Sequence, residues 1–424
     1  MQTIFYNAKV YTLNKLQPNA EAFLVNDENI VFVGSNKEVL ELKQDETKLV
    51  DMKEKVILPS FFDNNISLYK IIEQNLKNAK MDNFLENNDE IDENYYNFTN
   101  YEIYKQEFLK VQNELLKEGI STVQEINVSS KEFTFWKRLS EENLLKVDII
   151  AYIDMVNHKA VMDNNCRSYR KYKNHFRVGG YYISIDGSLL EGKAWLDKPY
   201  KKEKHYNGYS LILEERLAFL IKNAFEEKKQ LMIETNGDKA LKFFINTYED
   251  VAKKEKVEEN YRPIALHCTF ISSDDLKKMK ELKITPTFCV SELHNESNKI
   301  KRFLGYFRNK KVYPLKSLKD NNVEFLIHSK DNEILSSIKL ANFSLKSNLS
   351  KKAKSEEEIQ ELYNKLINGS AYITFDEEKK GTIESGKYAN FVVIDGNTNL
   401  LNKLDLEKIK IDELYFYGEK QVTI

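Results

Sequence analysis

Cysteine is scarce in this chain of 424 residues, and the three present, Cys166, Cys268 and Cys289, are scattered without a Cys-x-x-Cys spacing. They imply no disulfide framework and suit a reducing compartment, where thiols act as small apolar residues. Histidine is scarce too: of six, His158, His175, His205 and His294 show no metal-ligand spacing. An excess of one charge is missing, since 64 basic residues face 66 acidic ones for a formal net charge of -2, so nothing recommends a nucleic-acid partner. No apolar run approaches membrane-spanning length, and residues 1–10 carry Gln2, Asn7 and Lys9 rather than a signal-like apolar core. A cytoplasmic protein without a membrane partner is the expectation.

What is present is a globular composition, 42% hydrophobic and 31% charged, with length enough for a large core. Residues 3–13, 22–34 and 49–52 are β-rich pieces separated by turn residues and read as short antiparallel strands. From 56 to about 373, apolar strands alternate with amphipathic helices, the pattern of βα units and a parallel sheet. The strands fall at 56–63, 121–126, 147–153, 181–186, 231–235, 264–270, 285–290 and 324–328. Between them Leu217, Leu220, Ile221, Ala224 and Phe225 share one helix face, as do Ala240, Phe243, Phe244, Tyr248 and Val251. Ser355 with Glu358 forms a capping-box start for a helix that buries Ile359, Leu362 and Leu366. Residues 79–100, rich in Asn, Asp and Glu, read as a mobile excursion after the first strand, and 344–354 as a solvated loop or helix face. Eight strands with intervening helices argue for a TIM-like (β/α)8 barrel, an α/β fold.

The first strand, Val-Ile-Leu-Pro-Ser-Phe-Phe-Asp-Asn-Asn-Ile-Ser-Leu at 56–68, is an apolar run that ends in short polar residues, where side chains can meet a ligand. It resembles the first strand of the metal-dependent amidohydrolases, which carries Pro-Gly-Phe-Ile-Asp-x-His-x-His. Asp186-Gly187-Ser188 followed by Ala194, Leu196 and Pro199-Tyr200, Asn236-Gly237-Asp238-Lys239-Ala240, Arg262, and the turns and strand at 381–395 are similar to the YtcJ-like, formamide deformylase-like branch. The resemblance covers nearly the whole chain and rests on the order and spacing of these segments. It implies that 1–55 and 376–424, including a strand at 413–417, form one composite β-sandwich domain, with 56–375 as the barrel. It also implies hydrolysis of carbon-nitrogen bonds in a small molecule by a metal-activated water at the barrel mouth.

Carried over one at a time, the metal ligands of that family fall on residues that mostly cannot replace them. The first-strand histidines fall on Asn65 and Ser67, and the fourth-strand lysine on Tyr182. The fifth-strand histidine falls on Glu234, the sixth-strand histidine on His267, and the eighth-strand aspartate on Lys330. Only His267 is retained. A protonated ammonium has no lone pair, and amides and hydroxyls bind transition metals weakly, so the resemblance implies a degenerate copy without a metal cofactor. Lys330 is then expected to stand in for the cation with Glu234 as its partner. The expected function is binding of a small molecule by a catalytically impaired relative. Its catalytic remnants are Glu234, His267 and Lys330, and its pocket holds Asn65, Ser67, Tyr182, Asp186 and His328, with Asp331.

An active hydrolase is the alternative. A one-residue slip would give Glu234, His267 and Asp331 as a reduced ligand set for one divalent metal such as zinc, and metal-free acid-base work by Glu234 and His267 is the other route. A third reading is an assembly or regulatory protein whose mouth is filled by side chains. Self-association is open. Asp186 and Asp238 read as structural in the main, Glu125 as an exposed rim residue, and Cys268 as facing the helices if His267 faces the lumen.

Overall fold

The structure is a computed structural model that describes residues 2–84, 99–289, 296–309, 312, 314–328, 364–394 and 411–423. Eight strands, Phe61–Ile66, Ile120–Val128, Asp148–Asp154, Phe176–Ser184, Leu231–Thr235, Ile264–His267, Thr285–Cys289 and Leu326–His328, lie side by side in chain order, each parallel to its neighbours. The third strand shows why they lie where they do: Ile149, Ile150, Ala151, Tyr152 and Ile153 are all fully buried, as a sheet covered on both faces requires. Ile149, Ala151 and Ile153 pack toward the helices. Ile150 and Tyr152 join Tyr182, Met232, Ile264, Leu266 and Leu326 in the barrel lumen. Helix Glu214–Glu226 buries the five residues its period predicts, and Asp238–Lys254 buries Ala240, Phe244, Tyr248 and Val251. This is a TIM-like (β/α)8 barrel. Among the described residues no helix is long and apolar enough to cross a membrane.

The run 56–63, expected as one strand, is two. Val56–Pro59 pairs antiparallel with Phe391–Ile394 and parallel with Lys9–Tyr11, in a sheet built from both ends of the chain. At Ser60 the backbone turns: its amide donates to the Asn390 carbonyl, and the next amide, of Phe61, donates to Gly119 at the base of the barrel. Proline explains the break, because it cannot donate to a ladder. The terminal sheets have the orders Asn29–Gly34, Ala22–Asn26, Gln2–Tyr6, Lys48–Asp51 and Glu419–Thr423, Ile411–Phe416, Phe391–Ile394, Val56–Pro59, Lys9–Tyr11, Asn19–Ala20. Lys48–Asp51 runs parallel to Gln2–Tyr6, against the expected antiparallel order. Phe5 and Phe23 from one sheet meet Phe391 and Tyr415 from the other, with ring centroids 5.0 to 5.1 Å apart, and so fill the sandwich.

Other differences have local causes. The fourth strand begins at Phe176 rather than 181, because Gly179 and Gly180 hide the strand pattern; a Cβ on Gly180 would lie 2.5 Å from the Gln230 carbonyl oxygen, so the close approach of the fifth strand needs glycine. The sixth ends at His267 rather than 270, where His267 and Cys268 take φ of 69° and 30°. Residues 79–84, expected in the mobile excursion, complete helix Leu68–Phe84, and the helix Thr99–Lys117 begins at its far end; 85–98 lie outside the described residues. So do 344–354 and the Ser355–Glu358 capping box.

At the base of the barrel a buried charge cluster ties the two parts together. Asp148, at the start of the third strand, accepts from Lys380 Nζ, His175 Nδ1 at 2.9 Å and the Tyr417 hydroxyl at 3.0 Å. Arg177 donates to Asp376 at 2.8 Å and to the Thr374 carbonyl at 2.6 Å, and Tyr172 joins Asp376 to Lys380. Burial pushes the Asp148 carboxyl up, but Lys380 and His175 outweigh it and hold the group below the usual carboxylate range. Lys380→Met is expected to destabilise the protein by about 3–5 kcal/mol, because it strands a buried carboxylate. The double variant Asp148→Asn/Lys380→Met recovers part of the loss, and urea unfolding of the two measures the difference.

Candidate functional site at the barrel mouth

The C-terminal strand ends bring five of the sequence-predicted residues together. Asn65, on the first strand, places its side-chain amide 3.0 Å from His328 Nε2 and 3.4 Å from His267 Nε2. The contact with His328 crosses the seam between the first and eighth strands, which no backbone ladder closes among the described residues. The two imidazoles meet edge to face with centroids 5.5 Å apart. His267 Nε2 lies 3.6 Å from Glu234 Oε1. The other carboxylate oxygen of Glu234 accepts from the Tyr182 hydroxyl and from Ser184 Oγ at 2.9 Å, and Asn236 Nδ2 donates to Oε1 at 3.3 Å.

Burial sets the protonation states. Tyr182 is held well above the ordinary phenol range, first by burial and then by Glu234, so it remains a donor. His328 is pushed well below the ordinary imidazole range by burial and by His267, and is neutral at physiological pH. Its Nδ1 is buried with no hydrogen-bond partner among the described residues. His267 and Glu234 keep side-chain exposures of 18% and 22%, so solvent reaches both.

The remaining predicted residues divide. Ser67 lies just past the first strand, and its side chain makes no hydrogen bond among the described residues. Asp186, read both as structural and as a pocket residue, is engaged away from the lumen: its carboxylate accepts from the backbone amides of Trp195, Asn236 and Gly237 at 2.7 to 2.8 Å. A Cβ on Gly237 would lie 2.0 Å from the Trp195 carbonyl oxygen, so this crossing of two loops demands glycine. Asp238 is structural in the same way, accepting from Asp197 N at 2.8 Å. Cys268 is buried on the helix side, its thiol pushed up to about 12 by burial. Lys330 and Asp331 lie outside the described residues, and with them the Lys330–Glu234 pair and the slipped ligand set. Among the described residues no three His, Cys, Asp or Glu side chains converge as a metal-ligand group.

Ser184 and Asn236 were missed as partners of Glu234. Each lies two residues beyond a predicted site residue, Tyr182 and Glu234, and the period of two places Ser184 on the face of Tyr182. Glu125 is corrected outright. It is buried, not an exposed rim residue, and accepts from Leu68 N at 2.7 Å and Tyr69 N at 3.1 Å, capping the first helix after the barrel opens.

Three comparisons bear on this site. The amidohydrolase family profile matches residues 77–419. Over 63 residues, 15% of this chain and 14% of the other, the sequence is 38% identical to the exoenzymes regulatory protein AepA of Pectobacterium carotovorum subsp. carotovorum. The chain thus spans a small fraction of that curated relative. Metal-dependent hydrolases of Pyrococcus furiosus and Pyrococcus horikoshii OT3, themselves uncharacterised, superpose with TM-scores of 0.75 and 0.77 at 17% and 18% identity. The alignments cover 93% and 96% of this chain and 99% and 100% of the others, a likeness of fold.

The Glu125 cap gives a pH signature. Burial raises its carboxyl from 4.5 to about 8, and burial also raises Asp63 and Asp186 to about 7. Between the unfolded and folded values the native state holds protons that the unfolded chain releases, so stability falls as pH rises through that window. Urea midpoints measured from about pH 5 to about pH 8 are expected to decline, and to decline less in Glu125→Gln, which retains the slope of the two aspartates.

Proposed function

Because the chain belongs to the amidohydrolase family, we propose that it is a hydrolase relative of the YtcJ-like branch that binds a small molecule at the barrel mouth without the divalent metal of that family. The Asn65 amide carries the reading. It stands between the Nε2 atoms of His267 and His328, the two imidazole nitrogens that face the lumen. A histidine at this position would add a third lone pair to two others; an amide instead pairs with them by hydrogen bonds. Glu234 is likewise held by Tyr182, Ser184 and Asn236. This donor set does not fit a divalent centre, because its lone pairs already face protein donors and its first-strand members are an amide and a hydroxyl. The branch assignment is supported by the tie between its two loop segments, Asp186 accepting from the amides of Asn236 and Gly237.

The barrel mouth then offers a ligand a hydrogen-bonding floor with one carboxylate, suited to a small polar molecule that presents amide or hydroxyl groups. Loss of metal-activated water leaves hydrolysis of carbon-nitrogen bonds impaired. A second reading is favoured by the partly exposed His267–Glu234 pair: metal-free hydrolysis with the two as an acid-base pair.

Metal content by inductively coupled plasma mass spectrometry, after expression with zinc, manganese and iron in turn, tests the main reading. The expected result is far less than one equivalent under every supply. A metal near one equivalent that disappears in His267→Ala would overturn it. Turnover of an amide panel by metal-stripped protein, abolished in His267→Ala, would select the second reading instead.

A further inference from the structure

Two connections that leave strand C-terminal ends, the loop after the fourth strand and the helices after the seventh, meet on the mouth side of the barrel. Lys201 N donates to the Phe303 carbonyl at 2.8 Å, and Tyr200 packs edge-on against the Phe303 ring at 5.8 Å. Arg308 donates to the carbonyls of Lys198 and Pro199 at 3.0 and 2.7 Å. Helix Ser297–Leu304 buries Ile300 and Leu304 against the body and leaves Lys299, Lys301 and Arg302 exposed.

The charge on this surface is far from that of the whole chain. Residues 197–206 and 296–309 hold eight basic residues against three acidic ones, Asp197, Glu203 and Glu296, in a protein of net charge -2. None of the eight forms an ion pair among the described residues. Exposed apolar side chains accompany them: Phe307 is 82% exposed and Tyr306 52%, with Lys301 Nζ 5.5 Å from the Tyr306 ring. On the connection that carries the lysines, Leu211 and Leu213 are exposed as well. Single exposed apolar residues are ordinary. Cations without ion-pair partners, on the same connections as exposed aromatic and aliphatic side chains, match instead the two attractions of an anionic bilayer, charge to the headgroups and apolar area to the interface.

We propose that this surface docks the protein on an anionic lipid bilayer, with the barrel mouth turned toward it. The expectation of no membrane partner rested on the lack of a spanning segment, which does not bear on a peripheral surface. A nucleic acid would engage the cations and aromatic rings but gives Leu211 and Leu213 no role.

Co-sedimentation of the full chain with phosphatidylcholine vesicles, with and without phosphatidylglycerol, tests the proposal. Binding is expected only to the anionic vesicles and should weaken with added salt. Lys202→Ala and Lys299→Ala are each expected to lower partitioning about fivefold. Phe307→Ser lowers it at high salt, where the charge contribution is screened, while Lys43→Ala on the sandwich leaves it unchanged. Thermal melts of all four variants should match that of the wild type. Failure to bind anionic vesicles overturns the proposal, as does binding that none of the three mouth-side variants weakens. Tighter retention by an oligonucleotide than by the vesicles overturns it in favour of a nucleic-acid surface.

Discussion

The carboxylate of Asp148 is the point on which the architecture turns. It is fully buried at the base of the third strand, where an unpaired charge is intolerable. Its donors come from three places in the chain: His175 before the fourth strand, Lys380 after the last helix, and Tyr417 from the final hairpin. Removing any donor leaves Asp148 less compensated, so barrel and sandwich are held in one arrangement. Arg177 and Asp376 repeat the device beside it, with Tyr172 between the two pairs.

The two ends of the barrel are built on opposite principles. At the base, full charges are paired, buried and crossed with carbonyl oxygens, which suits rigidity. At the mouth an amide, two imidazoles and a phenol surround one carboxylate. Such a network costs less to open, and one ring, that of His267, keeps a route to solvent. Stability is concentrated at the base, which leaves the mouth free to vary in chemistry, the division of labour that this fold permits.

The barrel was legible because its strands are apolar on both faces and its helices keep a 3.6-residue period, as in Leu217 to Phe225. Strand ends were less legible. Gly179 and Gly180 disguised five residues of the fourth strand, and Pro59 marked a handover between sheets that a continuous apolar run concealed. At the site, Asn65, Tyr182, Glu234 and His267 could be placed because the resemblance to the amidohydrolases carries that family's ligand positions onto them, and His328 because it lies two residues before the position carried onto Lys330. Glu125 could not, because nothing in its neighbours along the chain shows that the amides of Leu68 and Tyr69 will come to meet it. Hydrogen bonds between segments 50 to 60 residues apart are a property of packing, which periodicity does not encode.

The pairing of Val56–Pro59 with Phe391–Ile394 sets an order on biosynthesis. The second sheet of the sandwich stays incomplete until Phe391–Ile394 and Ile411–Phe416 have left the ribosome, and Lys380 reaches Asp148 shortly before them. A nascent barrel must therefore wait with Asp148 held by His175 alone among its three partners, and with an open strand edge beside Ser60. Both favour a loose, locally helical intermediate over an early closed barrel. Emergence of the segment from Lys380 to Tyr417 thus acts as the step that joins barrel and sandwich.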